Sequence, residues 1–206
     1  MLIERGKFIS IHGVDGTGKT TTSSKTHDLL IAQGQKSINY DTYKEADVNP
    51  FSEKKKDADK NGSLEDRIVA YLESTMYHSK KIDALLNDGY HVVKSRYVDD
   101  VLAHFAHLGI SEERLNEFKE KFPIVQPDLK VILTLDEEVR RQRIDKRGIL
   151  DERDIEIKKE GSRLLFFEDF LKKSAEKASK DSILYIDTGS IDSDTVAKKI
   201  VDHLKL

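Results

Sequence analysis

Residues 8–20 read FISIHGVDGTGKT, an apolar run that breaks into three glycines and closes on a lysine and a threonine. No other stretch restricts the fold of this chain so strongly. Gly13, Gly16, Gly18, Lys19 and Thr20 satisfy the spacing Gly-x-x-x-x-Gly-Lys-Ser/Thr. The apolar run reads as a buried strand, and residues 18–33 read as a helix stopped by Gly34. A strand that turns into a helix across bare backbone points several amide N–H groups, and the positive end of the helix dipole, at one spot. Such a spot holds phosphate. Residues 13–21, Gly13, Val14, Asp15, Gly16, Thr17, Gly18, Lys19, Thr20 and Thr21, are the candidate cradle for the phosphates of a nucleotide. Lys19 is expected to bridge the β- and γ-phosphates, and Thr20 to hold Mg²⁺. A glycine turn without chemistry is the competing reading, and the strand–turn–helix setting weighs against it.

The rest of the chain alternates strands with helices. Strands are expected at 37–43, 90–96, 127–136 and 182–188, and helices at 63–87, 97–107, 111–121, 137–148, about 154–179 and 192–204. Ser63 with Asp66 suits a capping box, and Asp136 is placed to cap the helix after it. Residues 44–62 are lysine-rich and lack periodicity, so a mobile loop is expected there. Alternation of this kind predicts an α/β fold of three layers: a five-stranded parallel sheet with helices on both faces, in one domain spanning 1–206.

Composition narrows the function. A net charge of −3 over 206 residues argues against a nucleic-acid binder driven by overall charge. With no cysteine there is no disulfide framework, thiolate metal site or cysteine nucleophile. No apolar run approaches the roughly 20 residues that span a bilayer, and the N-terminus lacks a secretory pattern. A cytoplasmic protein without a membrane partner is expected.

Residues 140–153, RRQRIDKRGILDER, form a second basic feature. Arg143 and Arg147 are four apart and share a helix face, and Arg140 can join them. Guanidinium groups that close over a moving phosphoryl group lower its barrier, and Gly148 offers a hinge. A solvated helix end with arginines on the dipole is the alternative.

Several ordered blocks resemble the thymidylate kinase family of P-loop nucleoside monophosphate kinases. FISIHGVDGTGKTT resembles that family's first strand and cradle, SRYVDDVLAH its Asp-Arg-Tyr segment, and QPDLKVILTLDEEVRRQRIDKRGILDERD its Pro-Asp strand and lid. The resemblance implies transfer of the ATP γ-phosphate to a small nucleotide, dTMP foremost, in a homodimer. It implies that Lys19, Arg96, Arg143 and Arg147 serve catalysis, with Arg96 gripping the acceptor phosphate beside Tyr97. Asp15 is implied at the acceptor's sugar hydroxyl and Tyr71 against its base, although helical spacing reads Tyr71 equally well as core. Arg153 resembles a further lid arginine and Asp151 the acid of the Asp-Arg pair.

The departures lie in the acceptor half. Ser95 replaces the family's aspartate, Thr75 its base-contacting arginine, and His104 with Phe105 its Tyr-Gln pair. Tyr43 and Lys44 stand near where Arg-Glu-Pro-Gly is absent, and a lysine cannot supply an arginine's bidentate grip. Three readings follow: a dTMP kinase, a kinase for another nucleotide, nucleoside or modified pyrimidine, or a nucleotide-binding module without catalysis.

Overall fold

The computed structural model describes residues 4–43, 49–146, 161–176 and 182–206. Among these, five strands, β1 (Phe8–His12), β2 (Ser37–Asn39), β3 (His91–Ser95), β4 (Leu129–Thr134) and β5 (Ile183–Asp187), form one parallel sheet in the order β2-β3-β1-β4-β5. The helices are α1 (Lys19–Ala32), α2 (Ser52–Asn61), α3 (Leu64–Asn87), α4 (Val98–His107), α5 (Glu112–Glu120), α6 (Glu137–Asp145), α7 (Gly161–Glu176) and α8 (Ser193–Leu204). The expected α/β architecture, with helices on both faces, is what forms.

The sheet is covered because side chains alternate across it. Ile9, Ile11, Val93, Leu129, Val131 and Ile186 point to one face and bury against Leu30 of α1 and Val196, Ile200 and Val201 of α8. Phe8 and Val92 point to the other, against Ile68, Leu72, Ile82 and Leu86 of α3 and Leu102 and Phe105 of α4. Each such large apolar side chain contributes about 1.5–3 kcal/mol through burial. All five residues of β1 are buried, as suits the central strand of a parallel sheet.

The helix ends follow local chemistry. Ser63 and Asp66 form the expected capping box, with Ser63 N–H donating to Asp66 Oδ2 at 3.0 Å and Asp66 N–H to Ser63 Oγ at 3.2 Å. Asp136 accepts from the amides of Glu138 and Val139 at 2.9 and 3.3 Å.

Two expectations need correcting. Residues 52–61, read as loop, form α2. Only Ala58 is buried on it, so no apolar stripe betrays the helix. Charge supports it instead: Lys56 pairs with Glu53 at 2.7 Å, and Asp59 takes Arg67 of α3 at 3.2 Å. The second strand is also shorter than 37–43. It pairs over Ser37–Asn39, and the chain then turns, with Tyr40 N–H still donating to Val93 O at 2.8 Å.

Strand order positions the site. Ile11 lies opposite Ser95 and His12 opposite Ile132. The cradle after β1 and the turn after β3 therefore leave the carboxyl edge of the sheet side by side, where ligands bind in open parallel sheets.

Candidate active site

The cradle runs from Gly13 to Lys19. Gly13, Gly16 and Gly18 have φ of 145°, 95° and 92°, values that side chains other than glycine rarely adopt. Space is tight as well. A Cβ at Gly16 would meet Arg140 Cγ at 2.8 Å. Arg140 is 1% exposed, holds Glu137 through Nε and Nη2 at 2.8 Å each, and reaches Asp15 O at 3.5 Å. It therefore props the cradle from beneath. Thr188 braces the cradle from the β5 side, its hydroxyl 3.2 Å from both Thr17 O and Thr134 O.

Lys19 is 7% exposed. Its Nζ donates to Val14 O at 3.0 Å and to Asp15 Oδ1 at 3.1 Å. Arg96 Nη2 donates to the same Asp15 oxygen. One carboxylate thus gathers the cation of the cradle and the cation of the turn after β3. Burial lowers the pKa of Lys19, and Arg96 adds to this while Asp15 opposes it. Thr20 stands exposed in the first turn of α1.

Two cavities flank this point. One of about 310 Å³ is lined by Gly16, Thr21, Arg143, Thr188, Ile191 and Val196, among others. Arg143 is anchored there on Thr188 O at 2.5 Å. The other, about 360 Å³, brings together Tyr71, Thr75, Arg96, Tyr97 and His104 with Asn49, Lys55, His78 and Asp100. Arg96 and four of the residues expected at an acceptor therefore share a cleft.

Within it, Tyr71 donates its OH to Asp59 at 2.9 Å, stacks with His104 at 6.4 Å between centroids, and carries Lys55 Nζ 4.5 Å above its ring. Thr75 Oγ1 donates back to Tyr71 O at 2.9 Å. The Tyr97 ring sits edge-on to Phe8 at 4.9 Å, and burial pushes its pKa up to about 12. Phe105 is fully buried core. Tyr43 packs on Tyr40 at 6.2 Å. Lys44, Arg147, Gly148, Asp151 and Arg153 lie outside the described residues.

Sequence reasoning missed several groups. Asp41, just past β2, accepts the Ser95 N–H at 2.8 Å, lies 3.4 Å from Lys94 Nζ, and takes Ser23 Oγ at 3.3 Å. An acid thus stands over Ser95 although β3 supplies none. The one available signal was an acidic residue at the end of a strand beside β3. Lys55 was hidden because α2 was read as loop. His12 and Asp100 were also passed over.

His78 carries a pH dependence. Asn49 Nδ2 donates to its Nε2 at 3.0 Å, so Nδ1 bears the hydrogen that faces Tyr40 OH at 3.1 Å. Burial, then Lys94, Lys81 and Lys55, lower its pKa from 6.5 to about 4. Between these values the unfolded chain binds a proton that the folded chain refuses. Stability from this group is complete above pH 6.5 and is lost as pH falls toward 4. The urea midpoint of His78→Gln is expected to fall less steeply than that of the unaltered protein between pH 6.5 and 4.5. Parallel curves would refute the assignment.

A glycine cradle at the carboxyl edge of a central parallel strand, a lysine at the head of the following helix, and an arginine converging on it from the next strand define a P-loop phosphotransferase. The family model for thymidylate kinase matches residues 11–200. A probable thymidylate kinase of Archaeoglobus fulgidus is 31% identical over 144 residues, covering 69% of this chain and 71% of that protein. A thymidylate kinase of Brachyspira hyodysenteriae is 31% identical over 150 residues, covering 71% and 72%. The fold is shared with the solved thymidylate kinase of Candida albicans at a TM-score of 0.63 and 21% identity, covering 98% of this chain and 92% of that one. The chain belongs to the thymidylate kinase family, a family of ATP-dependent nucleoside monophosphate kinases.

Proposed function

We propose that this protein transfers the γ-phosphoryl group of ATP to dTMP. The observation that carries the reading is the convergence of Lys19 and Arg96 on Asp15. Two phosphate-binding cations meet at one point, Lys19 from the head of α1 and Arg96 from the turn after β3, and their shared anion can be exchanged for phosphate oxygens. In this reading the amides of residues 13–19 and Lys19 hold the ATP phosphates, while Arg96 grips the acceptor phosphate. The acceptor brings its own oxygen nucleophile, so positioning and charge stabilisation are the protein's task. Asp15, released from the two cations, turns to the acceptor's sugar hydroxyl. Arg143 closes over the transferring group as part of a lid on a single domain; residues 147–153 of the expected lid lie outside the described residues.

The oxygen donors of this segment suit a hard, oxygen-ligated cation. Thr20 is exposed in the first turn of α1, next to Lys19 in the chain, and Asp41 reaches Ser23, about one turn further along α1. Thr20 would hold Mg²⁺, which when bound would supply neutralisation of the phosphate charge. We further read the protein as a cytoplasmic homodimer. Leu165 and Phe166 stand exposed on α7, the latter against His107 of α4, and supply apolar surface for a second copy. No described helix is long and apolar enough to cross a membrane.

A second reading keeps the reaction and changes the acceptor. It is favoured by Thr75, whose hydroxyl is turned back onto its own helix, and by Lys55, which covers the Tyr71 face where a base would stack. Purified protein, ATP–Mg²⁺ and a panel of nucleoside monophosphates separate the cases. Formation of dTDP as the fastest product is expected. Faster turnover of another monophosphate favours the second reading, and no diphosphate from any of them overturns both.

A further inference from the structure

The sheet face that packs on α3 and α4 is apolar at Phe8 and Val92 but polar at Ser10 and His12. His12 is the last residue of β1, 1% exposed, and directly precedes the cradle. Its Nδ1–H donates to Asp100 Oδ2 at 2.6 Å, and its Nε2 lies 2.8 Å from Ser10 Oγ. The same Asp100 oxygen accepts the Tyr97 backbone N–H at 2.9 Å. One carboxylate oxygen therefore joins the strand that carries the cradle to the residue that follows Arg96.

That junction matters because Arg96 is strained. Its φ is 58°, in the left-handed region, a conformation that is unfavourable for a non-glycine residue and persists only where its surroundings impose it. Two bonds impose it here. Arg96 N–H donates to Ile11 O at 2.9 Å, and Tyr97 N–H is held by Asp100. Both anchors lead back to β1. A neighbouring set keeps the pair undisturbed: Asp99 lies 4.0 Å from His12 Nε2, but is held by Lys130 at 2.6 Å and by Ser174 Oγ at 3.1 Å. Burial opposes ionisation of Asp100, yet the His12 ring, the Tyr97 amide and nearby Lys19 together hold its carboxyl below the ordinary range. An apolar pair of similar volume would serve a core equally well. What His12 and Asp100 add is a fixed direction for the Arg96 turn.

We propose that His12 and Asp100 are positioning residues: by tying the Arg96 turn to the strand that bears the glycine cradle, they set the separation of the two phosphate-gripping cations. The proposal rests on the reading of Arg96 as the acceptor-phosphate grip. The reacting atoms of donor and acceptor must be held about 3–3.5 Å apart, and a misplacement of about 1 Å costs on the order of 100-fold.

A double-mutant cycle tests it. Asp100→Asn, Arg96→Ala and the double variant are compared in kcat/KM for dTMP, in dTMP Kd by calorimetry, and in Kd for a non-hydrolysable ATP analogue. Asp100→Asn is expected to lower kcat/KM about 30-fold and weaken dTMP binding, with the analogue's Kd unchanged within twofold. On the Arg96→Ala background it should cost less than a further twofold, because the residue it positions is gone. A merely structural residue would instead impose its full loss on both backgrounds and weaken the ATP analogue too. That result, or an Asp100→Asn protein with unaltered kcat/KM and dTMP Kd, overturns the proposal. His12→Gln approaches the pair from its other end and should show the same pattern, which serves if Asp100→Asn does not fold. Should the unaltered protein phosphorylate no monophosphate, the proposed function fails, while the calorimetric half of the cycle still decides whether Asp100 acts through Arg96.

Discussion

Lys19→Met is expected to lower kcat by about 1000-fold while leaving the protein at least as stable as before. The first effect follows from where the ammonium sits. Lys19 is buried at the mouth of the cradle and fixed by Val14 O and Asp15, so in the proposed reaction it would meet the charge that develops on the transferring group from a preorganised position. Losing one preorganised donor of this kind costs about 100- to 1000-fold, and losing a full cation falls at the upper end. The second effect follows from its lowered pKa, whose largest cause is burial. The fold holds a charge that burial disfavours, so methionine, of similar length and no charge, relieves that penalty. Asp15 keeps its partner in Arg96. A coupled kinase assay and a thermal scan read the two effects separately. A variant within tenfold of normal kcat would remove Lys19 from the chemistry, and one with a markedly lower Tm would show that its contacts with Val14 and Asp15 hold the cradle together.

The division between what was legible in the sequence and what was not follows chain distance. The cradle is nine consecutive residues acting through their main chain, so spacing alone announces it. The buried strands β1 and β4 and the caps at Ser63 and Asp136 are likewise local, and the structure has them as expected. The acceptor side is assembled from far-separated pieces. Asp41 reaches Ser95 across 54 positions, and His12 reaches Asp100 across 88. No periodicity encodes such a meeting; it appears only once β2, β3 and β1 lie next to one another. Lys55 stayed hidden for another reason. Its helix is held by ion pairs rather than by an apolar stripe, which is the signal that sequence patterning detects. Arg140 shows the converse difficulty. A cluster of arginines reads as one feature, yet Arg140 is buried under the cradle while Arg143, three residues on, holds Thr188 at the edge of a cavity.

Gly13→Ala and Gly18→Ala are expected to fail in opposite ways, and the contrast tests the cradle directly. Both positions have φ in the region that favours glycine, so each alanine carries a conformational cost of about 1–3 kcal/mol. Their surroundings differ. A Cβ at Gly13 would lie 2.6 Å from Leu133 O, part of the backbone of β4, and 2.8 Å from Thr17 Oγ1. A strand inside the sheet cannot yield, so overpacking adds a further 1–3 kcal/mol or so and the urea midpoint should drop sharply. A Cβ at Gly18 would meet nothing within 4 Å. That open space lies at the N-terminus of α1, where the proposed function puts phosphate oxygens, so Gly18→Ala should fold with a loss of only about 1 kcal/mol yet bind a non-hydrolysable ATP analogue at least about 30-fold more weakly, since a methyl group would stand between the amides and the oxygens. Denaturant melts and calorimetric titration of the two proteins separate the causes. If Gly18→Ala bound the analogue normally, the space beside it would not be where the phosphates rest, and the reading of residues 13–21 as their cradle would fall with it.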